Sequence, residues 1–376
     1  MTVRVSSTVM THPLRRRQAE ALAARLGLGG LSVDPDPDAA PSVLRTALVA
    51  WAAVPSWATH HLVVQDDVAA PEGLLGLVTD CAARFPDEVL VFYTNWHARN
   101  GALSRLAALA GAGWARAVPE EFTPTLAVCL PAGRAAAFRR YARGRRSERH
   151  DDEVMAAFLR REGRAALLAV PGVVEHIGTS SINGHTTQGV RRAACPADLA
   201  DARPLLRHGW VLEEWGWLPH LRDGVGCVRP AGQEHAPDPR RPHGWREALP
   251  GTGLTEAQVR GAARRHRPAA AAAEVGRLFG QDFAAELWTH CLLLGRRAAD
   301  VTRPYAAGEA AGAERVHQRL RAAALSTVGP AGLPPERRPE VGPAQAELLA
   351  AYAGSAVSRA LPAPGPAHVP RRARRA

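Results

Sequence analysis

The chain has 376 residues, a length that suits two domains or one α/β domain with a helical appendage. Apolar residues make up 46% and aromatics only 5%, which excludes a disordered chain and predicts a soluble, globular one with many helices of small side chains. The net charge of +11 is carried wholly by Arg, since no Lys occurs; of the two Arg clusters, 371–375 contains no aromatic and 134–149 only Phe138 and Tyr141, which is short of the run of aromatics on which single-strand binders stack bases, so nucleic acid is not expected as a partner.

The five cysteines are widely spaced and form no CxxC pair, so neither a disulfide framework nor a zinc site is indicated. No apolar signal run opens the chain and no stretch approaches the length of a transmembrane segment, which predicts a cytoplasmic protein.

In chain order, the alternation over residues 3–10 predicts a strand, His12-Pro13 interrupts it, and 14–26 has helical spacing. Glycines at 27–30 stop that helix, 31–33 reads as a second strand ending at Asp34, and 42–53 as a helix with Ser42 as its N-cap. A third apolar strand, 61–64, runs directly into Gln65-Asp66-Asp67. A helix over 71–85, a buried strand over 88–93, a strand over 125–130 and a helix over 133–143 follow. Asp151-Asp152-Glu153 opens the helix 154–162, where acidic residues suit the positive end of the dipole, and 166–170 is a last strand before Pro171-Gly172.

Beyond Cys195 the periodicity weakens. Residues 231–254 read as a linker, 255–328 as a helical region, and the Pro-, Ala- and Arg-rich 329–376 as a loose tail, leaving 1–230 as the α/β domain. Strands alternating with helices imply a largely parallel sheet with its active-site loops at the strands' C-terminal ends.

HLVVQDDV places two carboxylates at the end of a buried strand. Mg²⁺ or Mn²⁺ on a nucleoside diphosphate needs only one or two protein carboxylates, because the phosphates supply other ligands. The competing explanation is a pair of solvated turn acids.

Four segments in order, VRVSSTVMTHPLR, the Leu44-Arg45-Thr46 helix, HLVVQDDV with Pro71, and HDDEVMAAFLRREG followed by PGVVEHIGTSS, cover about residues 1–190. Together the set resembles the GT-A glycosyltransferases, in particular bacterial members with a DD or DxD signature of the lipopolysaccharide- or procollagen-modifying type. The resemblance implies an α/β, GT-A-like fold with a mostly parallel nucleotide-binding sheet and a helical C-terminal extension. It also implies a metal-dependent glycosyltransferase taking a nucleotide-sugar donor and an acceptor hydroxyl of unknown class. The DD stands where many such families have DxD.

By the same resemblance, Thr11, His12, Pro13, Asp34 and Asp66 contact the nucleotide or diphosphate, and Arg45 faces the diphosphate. Asp66, Asp67 and the late His176 form the metal site, where an imidazole ligand favours Mn²⁺ over Mg²⁺. Gly178, Thr179, Ser180 and Ser181 follow as phosphate donors. Asp151 and Asp152 stand where the acceptor-activating acid is expected; a capping role for Asp151 leaves Asp152 as the preferred base. Trp96 and His97 are placed to stack on a sugar or line the acceptor cleft. The alternative is a catalytically degenerate, glycosyltransferase-like binding or assembly module. A dinucleotide or methyl-donor enzyme is disfavoured, because THPLRRR occupies the place of a Gly-rich turn.

Overall fold

A computed structural model describes residues 2–145, 147–178, 191–231, 243–303, 310–359 and 361. The first half runs β1 Val5–Thr11, α1 Arg16–Leu26, β2 Leu31–Val33, α2 Val43–Ala50, β3 His60–Gln65, β4 Val68–Ala69, α3 Leu74–Arg84, β5 Leu90–Val91, α4 Arg99–Ala110, β6 Trp114–Arg116, β7 Ala127–Pro131, α5 Ala132–Arg143, α6 Asp151–Arg161, β8 Leu167–Ala169 and β9 Glu175–His176. The second half adds α7 Leu199–His208, β10 Val211–Leu212, the β11 Trp217–Arg222 and β12 Val225–Pro230 hairpin, and helices α8 Trp245–Ala248, α9 Glu256–His266, α10 Ala269–Phe279, α11 Gln281–Val301, α12 Ala310–Gly332 and α13 Pro343–Val357.

An 8-stranded sheet in the order β10-β6-β8-β5-β7-β3-β1-β2 forms the middle layer. Strands β2, β1, β3, β5 and β8 point one way, whereas β7, β6 and β10 point the other, as follows from the pairing senses. The pleat sends alternate residues to opposite faces, and both faces are covered. Leu62, Val64, Leu90, Cys129 and Leu167 pack with α1, α3 and α7 residues such as Leu22, Leu77, Val78 and Leu206. Val63, Val91, Val128, Leu130 and Leu168 pack on the other side with Leu44, Leu103, Leu106, Phe138 and Phe158. All five cysteines are free and buried.

Several elements follow the sequence closely. Ser42 caps α2 by accepting from the Arg45 amide at 3.3 Å, and Gly27, at φ 64°, ends α1 in the left-handed conformation that glycine adopts without a Cβ clash. The helix α4 carries no amphipathic signal because all its residues are buried. Its polar members are satisfied locally: Asn100 donates to the Phe122 carbonyl (3.0 Å) and accepts from the Val118 amide (2.9 Å), and Arg105 donates to Thr327 (3.0 Å) and the Trp96 carbonyl (2.7 Å). Gly101 permits this packing, since a Cβ there would lie 2.2 Å from the Asn95 carbonyl oxygen.

The reading of 329–376 as a loose tail is corrected for its first part. α12 continues to Gly332, and α13 buries Leu349, Tyr352, Ala353 and Ala356 against α11 and α12. Those positions repeat at helical spacing, a pattern masked by the surrounding Ala and Pro. Part of the stretch read as a linker is likewise packed, with Trp245 and Leu249 buried. Leu287, Trp288, Val328 and Tyr352 share one continuous apolar cluster with Val91 and Val128, so the C-terminal helices and one face of the sheet have a common core.

Candidate functional site

Register decides what meets at the sheet edge. β1 and β3 are parallel neighbours with Met10 opposite Gln65, so Thr11 and Asp66 leave the sheet side by side. β2 pairs Val33 with Thr11, which delivers Asp34 to the same edge. β5 and β8 point the same way and lead into Tyr93-Thr94-Asn95 and into the segment that reaches His176. β7, running oppositely, starts there, so Thr125 and Leu126 enter from the other side. The result is a cleft of about 410 Å³ lined by, among others, Thr11, His12, Asp34, Asp66, Asp67, His97, Asp151, Asp152, His176 and Arg191.

Asp66 and Asp67 diverge in role. Asp66 is buried; its carboxylate accepts from the Thr11 hydroxyl and from Arg15 Nη1 at 3.3 Å, and its backbone carbonyl accepts from Gln18 Nε2 at 2.9 Å. Burial raises its pKa, assisted by the Asp67 charge and opposed by Thr11 and Arg15. Asp67 turns toward β9: the β4–β9 ribbon sets Val68 opposite His176, and the Ile177 amide donates to the Asp67 carbonyl at 2.9 Å. Its Oδ2 lies 3.4 Å from His176 Nε2 and 3.5 Å from Arg15 Nη1, while Oδ1 is buried without a hydrogen-bond partner. Burial alone would raise Asp67, but His176, Arg15 and Arg191 outweigh it and hold the carboxyl below its ordinary range.

His176 is itself buried, and Arg191 Nη2 donates to its Nε2 at 2.9 Å. Glu175 steadies this ribbon by accepting from the His176 amide (3.0 Å) and the Ala193 amide (2.8 Å). Among the described residues no three His, Cys, Asp or Glu side chains converge on one point. The available protein set is therefore Asp67 with His176, and Asp66 is committed to Thr11 and Arg15. Such a two-residue set, with one orphaned carboxylate oxygen, fits a divalent cation whose remaining ligands are diphosphate oxygens.

Arg45 is placed differently from the sequence expectation. It grips Asp34 with both arms, Nε to Oδ1 at 2.7 Å and Nη2 to Oδ2 at 2.8 Å, and it is not among the residues lining the cleft. Desolvation would raise Asp34, yet Arg45 and the Asp36 amide keep it below its ordinary value. Pro13 is exposed at the start of a 3-10 turn and also lies off the cleft wall, whereas His12 lines it. Trp96 is a buried core residue beneath Arg192, while His97 lines the cleft. Thr179, Ser180 and Ser181 lie outside the described residues; Gly178 packs against Asp67 and His176, where a Cβ would approach to 3.1 and 3.3 Å. Within the 134–149 cluster, Arg134 pairs with Glu162 and Arg145 lies over the Tyr141 ring.

The second acidic pair lines the same cleft. His150, not Asp151, occupies the N-cap of α6, and Asp151 is the first helical residue. The expected capping role for Asp151 is thus corrected: the side chain is buried, hydrogen-bonded by Thr125, and its pKa is pushed up to about 7 by burial and then by the neighbouring Asp152 charge. Asp152 is also raised by burial, but its Oδ1 is tied to the Glu153 amide at 2.8 Å. Among the described residues neither has a salt-bridge partner. Sequence reasoning did not find Arg15 or Arg191, which are ordinary Arg residues until the fold sets them beside the Asp pair.

No protein-family model matches this chain, and no curated protein matches it. No described helix is long and apolar enough to cross a membrane.

Proposed function

We propose that this protein is a metal-dependent glycosyltransferase of the GT-A type that moves a sugar from a nucleotide-sugar donor to an acceptor hydroxyl. One observation carries the reading: a single cleft at the sheet edge is lined both by Asp67 with His176, where neighbouring groups hold the carboxyl below its ordinary range, and by Asp151, whose pKa burial pushes up to about 7. Carboxylates whose surroundings separate their pKa values divide between charge-binding and proton-transfer roles.

On this reading Thr11, His12 and Asp34 border the nucleotide, and Asp67 with His176 hold the cation; the nitrogen ligand favours Mn²⁺ over Mg²⁺. When bound, the cation neutralises the diphosphate leaving group. Asp151 takes the acceptor's hydroxyl proton as its oxygen bonds to the anomeric carbon, and the bond from that carbon to the phosphate oxygen breaks with its electron pair leaving on the nucleoside diphosphate. A carboxyl with pKa near 7 suits this better than an ordinary one, because catalytic efficiency is greatest when a base's pKa lies near the working pH. Asp151 therefore replaces Asp152 as the preferred base.

The test is a panel of nucleotide sugars assayed for Mn²⁺-dependent thermal stabilisation and for release of nucleoside diphosphate. Stabilisation by one donor, lost in Asp67→Ala, is the expected result, because a ligand that binds the native state raises its stability. Stabilisation without any release points instead to a binding module. No response to any member of the panel rejects the transferase.

A further inference from the structure

The contact between Arg191 and His176 is an uneasy one. A guanidinium is always a donor, so His176 Nε2 must accept from it at 2.9 Å. The same nitrogen stands 3.4 Å from Asp67 Oδ2, a group that only accepts. One nitrogen cannot serve both. Among the described residues Arg191 has no carboxylate within salt-bridge distance, although it lies close enough to Asp67 to help hold that carboxyl ionised.

Arg191 thus presents positive charge to the imidazole nitrogen and carboxylate that a divalent cation would take. Its backbone is fixed independently of the side chain: the Tyr93 hydroxyl donates to its carbonyl at 2.6 Å, and the next residues are stitched to the sheet through the Arg192 carbonyl to the Trp96 amide (2.9 Å) and the Ala193 amide to Glu175 (2.8 Å). The guanidinium can therefore turn while the chain stays in place.

We infer that Arg191 is an exchangeable counter-cation: it holds His176 Nε2 beside Asp67 while the donor is absent, and moves onto the diphosphate oxygens when the metal takes that nitrogen. This rests on the transferase reading of the cleft. His176 Nε2 has one lone pair, so a metal bound there expels the guanidinium that now donates to it. A planar fork is the side chain best matched to the phosphate oxygens that arrive with the metal. The consequence is coupling: the site binds metal weakly by itself and strongly with a diphosphate.

The experiment measures binding of Mn²⁺ alone, and of Mn²⁺ with inorganic pyrophosphate, to the full chain and to Arg191→Ala, Arg191→Lys and Asp67→Ala, by the paramagnetic signal of free Mn²⁺ and by calorimetry. Arg191→Ala is expected to bind Mn²⁺ alone about tenfold more tightly and the Mn²⁺–pyrophosphate complex about tenfold more weakly, a swing typical of coupled sites. Arg191→Lys retains the charge without the fork, so it should leave Mn²⁺ affinity near the parent value and still lose pyrophosphate affinity. If Arg191→Ala leaves Mn²⁺ binding unchanged or weaker while Asp67→Ala abolishes it, the exchange is refuted and the transferase reading stands. If Mn²⁺ binds neither alone nor with pyrophosphate, or its binding is indifferent to Asp67→Ala, the metal is not held here and both fail.

Discussion

Asp66-Asp67 and Asp151-Asp152 are the same dipeptide facing the same cleft, in opposite electrical surroundings. The first pair ends a strand and lies among Arg15, His176 and Arg191; the second opens a helix and has no salt-bridge partner among the described residues. Burial raises the pKa of every member, but at Asp67 the neighbouring His176, Arg15 and Arg191 outweigh it, whereas at Asp151 burial wins even against the helix N-terminus that ordinarily favours a carboxylate. Charge neighbours, not the motif, decide whether an acidic pair binds cations or handles protons.

The comparison breaks most visibly at Asp151. Replacing a general base costs roughly 10²- to 10⁴-fold in rate while leaving ground-state binding nearly intact. Asp151→Asn should show that loss in nucleoside diphosphate release, with Mn²⁺-dependent donor binding retained. A base works deprotonated, so the parent activity should rise with pH through about 7 and flatten above it. Asp152→Asn should cost much less and keep that pH limb. The reverse ranking would return the base to Asp152, and small, equal effects at both would remove the second pair from the chemistry.

The same substitution should also reveal itself in stability. An unfolded chain releases the Asp151 proton in the ordinary carboxylate range near 4, whereas the folded protein holds it up to about 7. Between those limits the native state binds more protons than the unfolded one, so stability falls as pH rises, at about 1.4 kcal/mol for each pK unit of displacement. Asp151→Asn removes that fall. Its melting temperature should therefore gain on the parent's from about pH 4 upward and hold its lead above pH 7; parallel curves would show that Asp151 is not held protonated.

At the other pair the expected loss is in binding. Asp67→Ala should weaken Mn²⁺-dependent donor binding by at least the roughly 10- to 100-fold seen when even an outer partner of a metal site is lost, with a smaller effect on melting. A large fall in melting temperature with donor affinity preserved would make Asp67 a structural residue of the β4–β9 ribbon.

How much of this was legible in the sequence depended on whether the signal was local. Alternation and capping located β1, β2, α2 and β3, and the apolar run HLVV ending in Gln65-Asp66-Asp67 marked the edge where the cleft lies. The helix α4 was invisible because burial on every side erases periodicity, and α13 because Ala dominates its composition and Pro-rich stretches flank it. Pairings across the fold had no local trace: nothing near Arg191 in sequence announces His176 Nε2, and nothing near Asp151 shows that α6 turns it inward. Arg45 was found as a candidate but aimed wrongly, since Asp34, eleven residues earlier, captures it.

That Asp34–Arg45 pair supplies the smallest and most specific test, because it is a third buried carboxylate, neutralised by a single fixed cation. Arg45→Met preserves the aliphatic packing of α2 and leaves Asp34 with only the Asp36 amide at 3.2 Å. An orphaned carboxylate costs roughly 1–2 kcal/mol here, toward the low end of the usual range because one hydrogen bond survives. The sign follows from the lowered pKa of Asp34: the stabilisation is fully present above the ordinary carboxylate range and is lost as pH falls through the folded pKa. The melting difference between Arg45→Met and the parent should therefore be constant near neutral pH and vanish in acid, opposite in direction to the Asp151 effect. Donor binding should weaken modestly, through a misplaced Asp34, while Mn²⁺ binding without nucleotide is unchanged. A variant that loses Mn²⁺ binding as well would put Arg45 in the diphosphate site after all.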